Sequence, residues 1–482
     1  MLSYQRSMGK YETPLSTVEY MVKTVLQETK QTPQPPHILD PSTGDGVFVR
    51  ALMETGANPS YIHAYDIDPN VSLDVPDVQF IHQDFLTSKP QQAFDAIIGN
   101  PPYKSIRQSD YFKKNKQDLE ENFKEIGVHN MYTLFIYKGL QLLKEGGVLC
   151  MIVQDSFLTN VHYTKFRQYL IDHTEIIEII LAPRKLFHAG KADVRTAIIT
   201  IRKGAPKSDH LMRLVDRLAT EEYNSPPAER VQYLRQSYFR MMPGFNFAIN
   251  VPEEILSLFI KPEFILADKV QGGTGISTGN DKQFLFRPWE VNVDHEEWIP
   301  FYKNGGIRDR WYYEPKYYIH KNWKKYSRAV PKFTVRNQKF FFREGITCSS
   351  MGIDFQASYL PKGSLFGVNT NLFTENEEEL YYLLGLLNSN LTTYMLRKVL
   401  NRTNMITSGY VKKLPYIEPE PSLKSCISQQ VKHIVSEKKK NLSYDSTIQQ
   451  QNINNSIFDV YHISPSNRVH VNSFCEQLIE LL

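Results

Sequence analysis

FDAIIGNPPY, residues 94–103, joins an apolar run to a rigid polar turn. Phe94 to Gly99 reads as a buried strand, short, rich in isoleucine and bounded by turn residues. Pro101 and Pro102 cannot donate to a strand ladder, so they end it and stiffen the turn after it. In open α/β sheets ligands bind outside the carboxyl ends of strands, where Asn100, Pro101, Pro102 and Tyr103 then stand. The residue types suit a particular chemistry. An amine conjugated to an aromatic ring is a poor nucleophile, because its lone pair is delocalised. An asparagine side-chain oxygen and a backbone carbonyl, both accepting hydrogen bonds from that amine, favour a tetrahedral nitrogen with a localised pair. Tyr103 adds a flat face on which a base can stack. An amide nitrogen could be served by the same tetrapeptide.

Outward from this turn, short apolar runs alternate with amphipathic stretches. HILD (37–40), YIHAYDID (61–68), VQFIH (78–82), GVLCMIV (147–153), EIIEIILA (175–182) and RTAIITIR (195–202) read as further buried strands. TVEYMVKTVLQE (17–28), YTLFIYKGLQLLKE (132–145) and YTKFRQYLIDH (163–173) read as helices between some of them. Strand and helix in alternation predict an α/β domain with a mostly parallel sheet covered on both faces. Gly146-Gly147 is expected to end the second of those helices.

The next informative segment is Asp40-Pro41-Ser42-Thr43-Gly44-Asp45-Gly46-Val47-Phe48, again after a strand and before a helix. Gly44 and Gly46 allow a close approach of backbone to ligand, and the following helix could present N–H groups to a carboxylate. Asp66 ends the next strand about twenty residues on, the position at which a carboxylate commonly holds ribose hydroxyls. Asp68 could share that role. Asp84, after the third strand, could accept from an adenine amine.

At 482 residues the chain can hold two or three domains, each with its own core. With 41% hydrophobic and 22% charged residues it has an ordinary globular composition. No apolar run reaches membrane-spanning length, and MLSYQRSMGKYETP at the start has no apolar signal core, so a cytoplasmic protein is expected. Cys150, Cys348, Cys426 and Cys475 form no CxxC pair, and no HExxH spacing occurs, so reduced thiols and no metal are expected. The regular alternation fades after Lys207. Aromatic-rich segments with Gly and Asn turns follow from about Asn250 to Pro415, with one helix-like stretch, ELYYLLGLLNSNLTTYMLRKVL (379–400). A polar, Lys- and Gln-rich tail begins near Pro421. The expected division is 1–249, 250–420 and a helical 421–482 packed on the middle domain.

In order and content these motifs resemble the gamma class of N6-adenine DNA methyltransferases, the TaqI-like enzymes of restriction–modification systems. The segment Gly9-Lys10-Tyr11-Glu12-Thr13-Pro14 resembles the part of the cofactor site that precedes the glycine turn in that class. So do later phrases resemble its specificity domain: GGTGISTGN (272–280), NGGIRDRWYY (304–313), FREGITCSS (342–350), LLGLLNSNL (383–391) and SGYVKKLP (408–415). The resemblance implies a Rossmann-like, seven-stranded domain dependent on S-adenosylmethionine, followed by an α+β target-recognition domain. By resemblance, Thr13 and Pro14 lie near the methionine part of the cofactor, and Asp40, Pro41, Thr43, Gly44 and Gly46 surround it. Asp66 would hold its ribose and Asp84 its adenine. Asn100 and Pro101 would bind the target amine, Tyr103 would stack on the target base, and Phe187 would cover the other face.

Double-stranded DNA is the implied partner and a monomer the expected state; a separate restriction endonuclease, or none, stays open. The net charge of +4 says little about this; its distribution says more. Between Phe301 and Gly345 there are twelve Lys or Arg and three Asp or Glu. Lys303, Arg308, Arg310, Lys321, Lys324 and Lys325 are the candidate phosphate contacts, interleaved with Trp311, Tyr312, Tyr313 and Trp323. An aromatic core beneath a solvated basic face would give the same composition. A target amine buried in a duplex must leave the stack, and Tyr103 and Phe187 are the candidate supports. Protein glutamine and RNA base methyltransferases share NPPY but leave the basic half unexplained, and the intact Gly44, Asp66 and Asn100 argue against a non-catalytic scaffold. With few residues ahead of the cofactor segment, no N-terminal nuclease domain is expected, and the C-terminal tail has no convincing nuclease motif.

Overall fold

The structure is a computed structural model and describes residues 12–29, 34–90, 92–106, 109–187, 194–305, 310–328, 330–352, 354–403 and 405–478. The chain forms two compact units, 1–250 and 251–482.

The first unit is built on a nine-stranded sheet of order β3-β2-β1-β4-β5-β7-β6-β8-β9. Its strands are Ile38–Asp40 (β1), Ile62–Asp66 (β2), Gln79–His82 (β3), Phe94–Gly99 (β4), Leu143–Gln154 (β5), Thr174–Leu181 (β6), Thr196–Lys203 (β7), Leu211–Val215 (β8) and Val231–Arg235 (β9). From β3 to β5 every pairing is parallel; β7 runs antiparallel to both β5 and β6. All seven strands read from the sequence are present. The sheet is nevertheless wider than the seven expected, because β8 and β9 extend its far edge. Those two strands are five residues each and β9 buries only one of its residues, so neither carries a long apolar run.

Leu15–Glu28 (α1), Val47–Glu54 (α2), Met131–Leu142 (α3) and Thr164–His173 (α4) are the main helices. α1 starts where Pro14 fixes an extended φ/ψ and its carbonyl receives Thr17 and Val18 N–H. It buries Thr17, Val18, Met21, Val22 and Val25, a stripe of helical period. α3 ends at Leu142, not at Gly146-Gly147 as expected from the sequence. The two glycines lie inside β5, where the pairing with β4 jumps from Phe94–Leu143 to Ala96–Val148. A Cβ on Gly147 would stand 2.9 Å from Lys144 O and 3.0 Å from Asp95 O, so the bulge needs a glycine there.

Arg167 on α4 is fully buried and donates to the carbonyls of Phe157, Asn160 and Gly244 at 2.7, 2.8 and 2.6 Å. Beyond the sheet, Asn250 Nδ2 donates to Asp216 Oδ2 at 3.3 Å.

The second unit mixes small sheets with helices. Its four-stranded sheet orders Gln271–Gly273, Thr370–Phe373, Gly345–Cys348 and Ala357–Leu360, and a three-stranded one orders Tyr317–His320, Trp298–Tyr302 and Leu365–Phe366. Its core is unusually aromatic and includes Phe284, Tyr302, Tyr313, Trp323, Phe340, Phe366 and Phe373. The long helix expected over 379–400 is broken. Glu377–Leu387 is helical, then Asn388 turns its side chain onto the backbone of Ala357, accepting its N–H at 3.0 Å and donating to its carbonyl at 2.9 Å. Ser389 caps the next short helix, Asn390–Tyr394. The tail is helical, as Pro421–Lys440, Thr447–Val460 and Pro465–Glu476, and falls within the second unit. Among the described residues no helix is long and apolar enough to cross a membrane, and no cluster could hold a metal ion.

Candidate active site

Four strand ends meet at one cavity. After β1 the chain turns through residues 41–46, and Gly46 adopts φ +83 to start α2. The turn is held by Thr43 N–H to Tyr65 O at 2.8 Å and by Gly44 N–H to Asp66 Oδ2 at 2.9 Å. The other Asp66 oxygen accepts Asp68 N–H at 2.9 Å. A Cβ on Gly44, which lines the cavity, would meet nothing within 4 Å. A side chain there would therefore occupy open space, and glycine keeps it clear.

Asp40 is fully buried at the end of β1, and one oxygen accepts Ser42 N–H at 3.1 Å. Burial raises its pKa to about 7, with the Asp66 and Asp45 charges adding to the rise and the Ser42 hydrogen bond opposing it. Asp84 follows β3. Its oxygens accept Leu86 N–H at 3.0 Å, Thr87 Oγ1 at 3.1 Å and the Tyr111 hydroxyl at 2.7 Å. Burial first, then the Asp84 carboxylate, holds the Tyr111 phenol well above its usual range. Lys138 on α3 braces the same loop by donating to Leu86 O at 3.0 Å and to Ser88 O, and burial lowers its pKa to about 8.

After β4, Asn100 Nδ2 donates to Thr13 Oγ1 at 3.0 Å, and Ser42 Oγ donates to the Asn100 carbonyl at 3.2 Å. The next segment is pinned across to residues 129–131, through Ile106 N–H to His129 O and Met131 N–H to Lys104 O.

Of the residues expected at the site, Thr13, Pro41, Thr43, Gly44, Asp66, Asp84, Asn100 and Pro102 line the cavity. Pro14, Asp40, Gly46, Pro101 and Tyr103 are not among its lining residues. Gly9, Lys10 and Tyr11 lie outside the described residues. Asp68 is turned to Asn70, whose N–H and Nδ2 it accepts. Sequence reading missed several wall residues, among them Ser42, Phe48, Ile67, Phe85, Tyr111 and Phe135. Phe85 had a legible signal, since it directly follows Asp84; Tyr111 had none.

Tyr103 and Phe187 do come together, but not as two parallel plates. Both rings are buried, their centroids lie 6.2 Å apart, and their planes meet at 61°. The Tyr103 hydroxyl donates to Ile152 O at 3.0 Å, anchoring the ring to β5. With the rings edge to face, a base could enter between them only after they part.

The cavity fits S-adenosylmethionine. Ile67, Phe85, Leu86 and Phe135 give it apolar surface for an adenine ring, and the Asp66 carboxylate, the glycine turn and Thr13 line the same cavity. Glycine turn after β1, acid after β2 and NPPY after β4 on this sheet define the class: the fold of an S-adenosylmethionine-dependent methyltransferase.

The chain is similar to methyltransferases of restriction–modification systems. Residues 58–187 match the family model described as Eco57I restriction-modification methylase. The type II methyltransferase M.TthHB8I of Thermus thermophilus is 31% identical over 172 residues, 34% of this chain and 39% of that protein. The adenine-specific methyltransferase BrxX of Escherichia coli is 24% identical over 353 residues, 68% of this chain and 28% of that protein. The chain thus spans well under half the length of these relatives. In fold it is similar to the type IIL restriction-modification enzyme MmeI in complex with DNA, with TM-score 0.61 and 12% identity over 97% of this chain and 75% of that one.

In the second unit, the candidate phosphate contacts separate into two groups. Lys303 is paired with Asp281, Arg310 with Asp354 at 2.8 Å, and Lys321 with Glu296 at 3.2 Å. These acids lie outside the stretch 301–345 or, for Asp354, just beyond it, which is why its composition suggested unopposed charge. Lys324 lies over the Trp323 ring at 5.5 Å, and Lys324 and Lys325 are exposed on the same short helix. Arg308 lies outside the described residues. Trp311, Tyr313 and Trp323 are core residues, so the aromatics there serve packing first.

Proposed function

We propose that this protein is a site-specific DNA methyltransferase that methylates the N6 amine of an adenine flipped out of duplex DNA, in a restriction–modification or phage-defence system. One observation carries the reading: Asn100, at the end of β4, lies on the wall of the cavity that begins at the Gly44–Asp66 turn. Bound S-adenosylmethionine would supply an activated methyl group there. Asn100 Oδ1 and the Pro101 carbonyl accept from the target amine and localise its lone pair. Pro101 and Pro102 hold those acceptors rigidly, so the acceleration comes from positioning and from exclusion of water. Tyr103 and Phe187, once parted, take the adenine between them; stacking returns about 1–3 kcal/mol per base against the few lost on unstacking.

Residues 250–420 act as the target-recognition domain and 421–482 as its helical support, with Lys303, Arg308, Arg310, Lys321, Lys324 and Lys325 reaching phosphates. The protein acts as a monomer on double-stranded DNA, with a separate endonuclease as its cognate partner. The similarity to the adenine-specific methyltransferase BrxX supports the base. Incubation with S-adenosylmethionine and duplex DNA, followed by nucleoside mass spectrometry, should yield N6-methyladenine. Product found only as N4-methylcytosine would reject the base assignment, and methylated protein or RNA without methylated DNA would reject the substrate.

A further inference from the structure

We infer that Thr13 and Ser42 are positioning residues that hold the Asn100 amide and main-chain carbonyl in the orientation that meets the target nitrogen, an inference that rests on the proposed methylation of an adenine amine. The two ends of an asparagine amide have nearly the same shape but opposite hydrogen-bonding character. Only the oxygen can accept from an amine; with NH2 turned outward, donor would face donor and the lone pair would stay in the ring. The sterics of Asn100 cannot choose between the two orientations. A partner at the opposite end can.

Thr13 Oγ1 is that partner, 3.0 Å from Asn100 Nδ2, and the threonine is itself buried. Ser42 Oγ holds the backbone carbonyl of the same residue at 3.2 Å, so side chain and main chain are both fixed. Thr13 has a firm base. It stands just ahead of α1, whose Tyr20 hydroxyl donates to both oxygens of Glu178 at 2.9 and 3.0 Å, while Arg213 pairs with Glu178 at 2.7 Å. Ser42 belongs to the glycine turn. The clamp therefore joins the segment before α1, the cofactor turn and the NPPY loop at one asparagine. Replacing the Thr13 hydroxyl by a methyl removes the acceptor for Nδ2 and leaves nothing at that end to select the amide orientation.

Thr13→Val, Thr13→Ser and Ser42→Ala separate this role from the cofactor contact that resemblance assigns to Thr13. In single-turnover methyl transfer at saturating cofactor and DNA, Thr13→Val should lose about tenfold to a hundredfold in rate, somewhat less than removal of a direct stabilising group. Thr13→Ser should recover most of the rate, while S-adenosylmethionine affinity by calorimetry stays within about fivefold for both, the scale of one neutral hydrogen bond. If Thr13→Val instead weakens cofactor binding and leaves the single-turnover rate intact, the inference fails and Thr13 is a cofactor contact. It fails also if valine and serine lose rate equally. Should Thr13→Val melt early, Ser42→Ala reads the same clamp: a slowed rate supports it and a wild-type rate overturns it. A wild-type protein that gives no N6-methyladenine defeats the functional reading itself, whatever the variants do.

Discussion

Gly44 N–H donates to Asp66 Oδ2 across 2.9 Å, so the turn after β1 is shaped by the residue that ends β2. The same carboxylate also receives Asp68 N–H through its other oxygen. Asp66 thus organises two loops before any ligand arrives. Asp66→Ala should weaken S-adenosylmethionine binding by at least about fivefold, since it frees a part-buried amide and loosens the turn, together worth about 1–3 kcal/mol. Calorimetry with a parallel thermal melt checks this; unchanged affinity would remove Asp66 from the site.

Asn100→Ala should reduce methyl transfer by about 10²–10³-fold, the scale for losing one preorganised polar group at a reacting centre. Cofactor binding should survive, because the Gly44–Asp66 turn does not depend on the amide. Loss of both in the same variant would assign Asn100 to folding.

Asp40 gives a pH signature. Its pKa is raised in the folded protein to about 7 from an ordinary 3.8, so folding takes up a proton between those values. Its contribution is therefore most favourable below about pH 4 and is lost as pH rises through 7, with a full swing on the order of 4 kcal/mol. Asp40→Asn should flatten that part of the stability–pH curve and should be more stable than wild type at pH 8. Denaturant titrations at pH 5 and pH 8 measure it, and a parallel pair of curves would refute it.

Glu178 is buried and paired with Arg213 at 2.7 Å. Glu178→Ala should destabilise by about 3 kcal/mol, because a partly buried guanidinium is left behind. Adding Arg213→Met should return much of the loss. A single variant as stable as wild type would show that the pair contributes nothing.

Salt dependence tests the DNA surface. Lys324→Ala should lower the slope of log affinity against log salt by about 0.9 for each phosphate no longer neutralised. Lys303, Arg310 and Lys321 are already opposed by Asp281, Asp354 and Glu296, so alanine there should change the slope less. Equal effects from the two groups would overturn the distinction.

The strands of the first unit were legible because β1, β2 and β4 to β7 are buried apolar runs, a signal that needs no tertiary knowledge. The glycine turn, Asp66 and Asn100 were legible as well, each sitting where a strand stops. What could not be read was who answers whom across long sequence distances. Thr13 meets Asn100 after 87 residues, and Tyr111 meets Asp84 from a segment with no motif of its own. Likewise, the break at Asn388 comes from a side chain that pairs with Ala357 on a strand, an interaction invisible to helical periodicity. Composition over 301–345 misjudged the charge for the same reason: three of its cations are answered by acids elsewhere in the chain.

Arg167 sets a practical limit on how this chain can be shortened. Regular alternation fades after Lys207, which makes that point an inviting place to cut. Yet two nitrogens of the buried guanidinium reach forward to Gly244 O. A fragment stopped at 207 would take away one of the three carbonyls that hold the buried guanidinium, whereas one extended to Asn250 keeps that acceptor and the Asp216 tie and ends where the first compact unit ends.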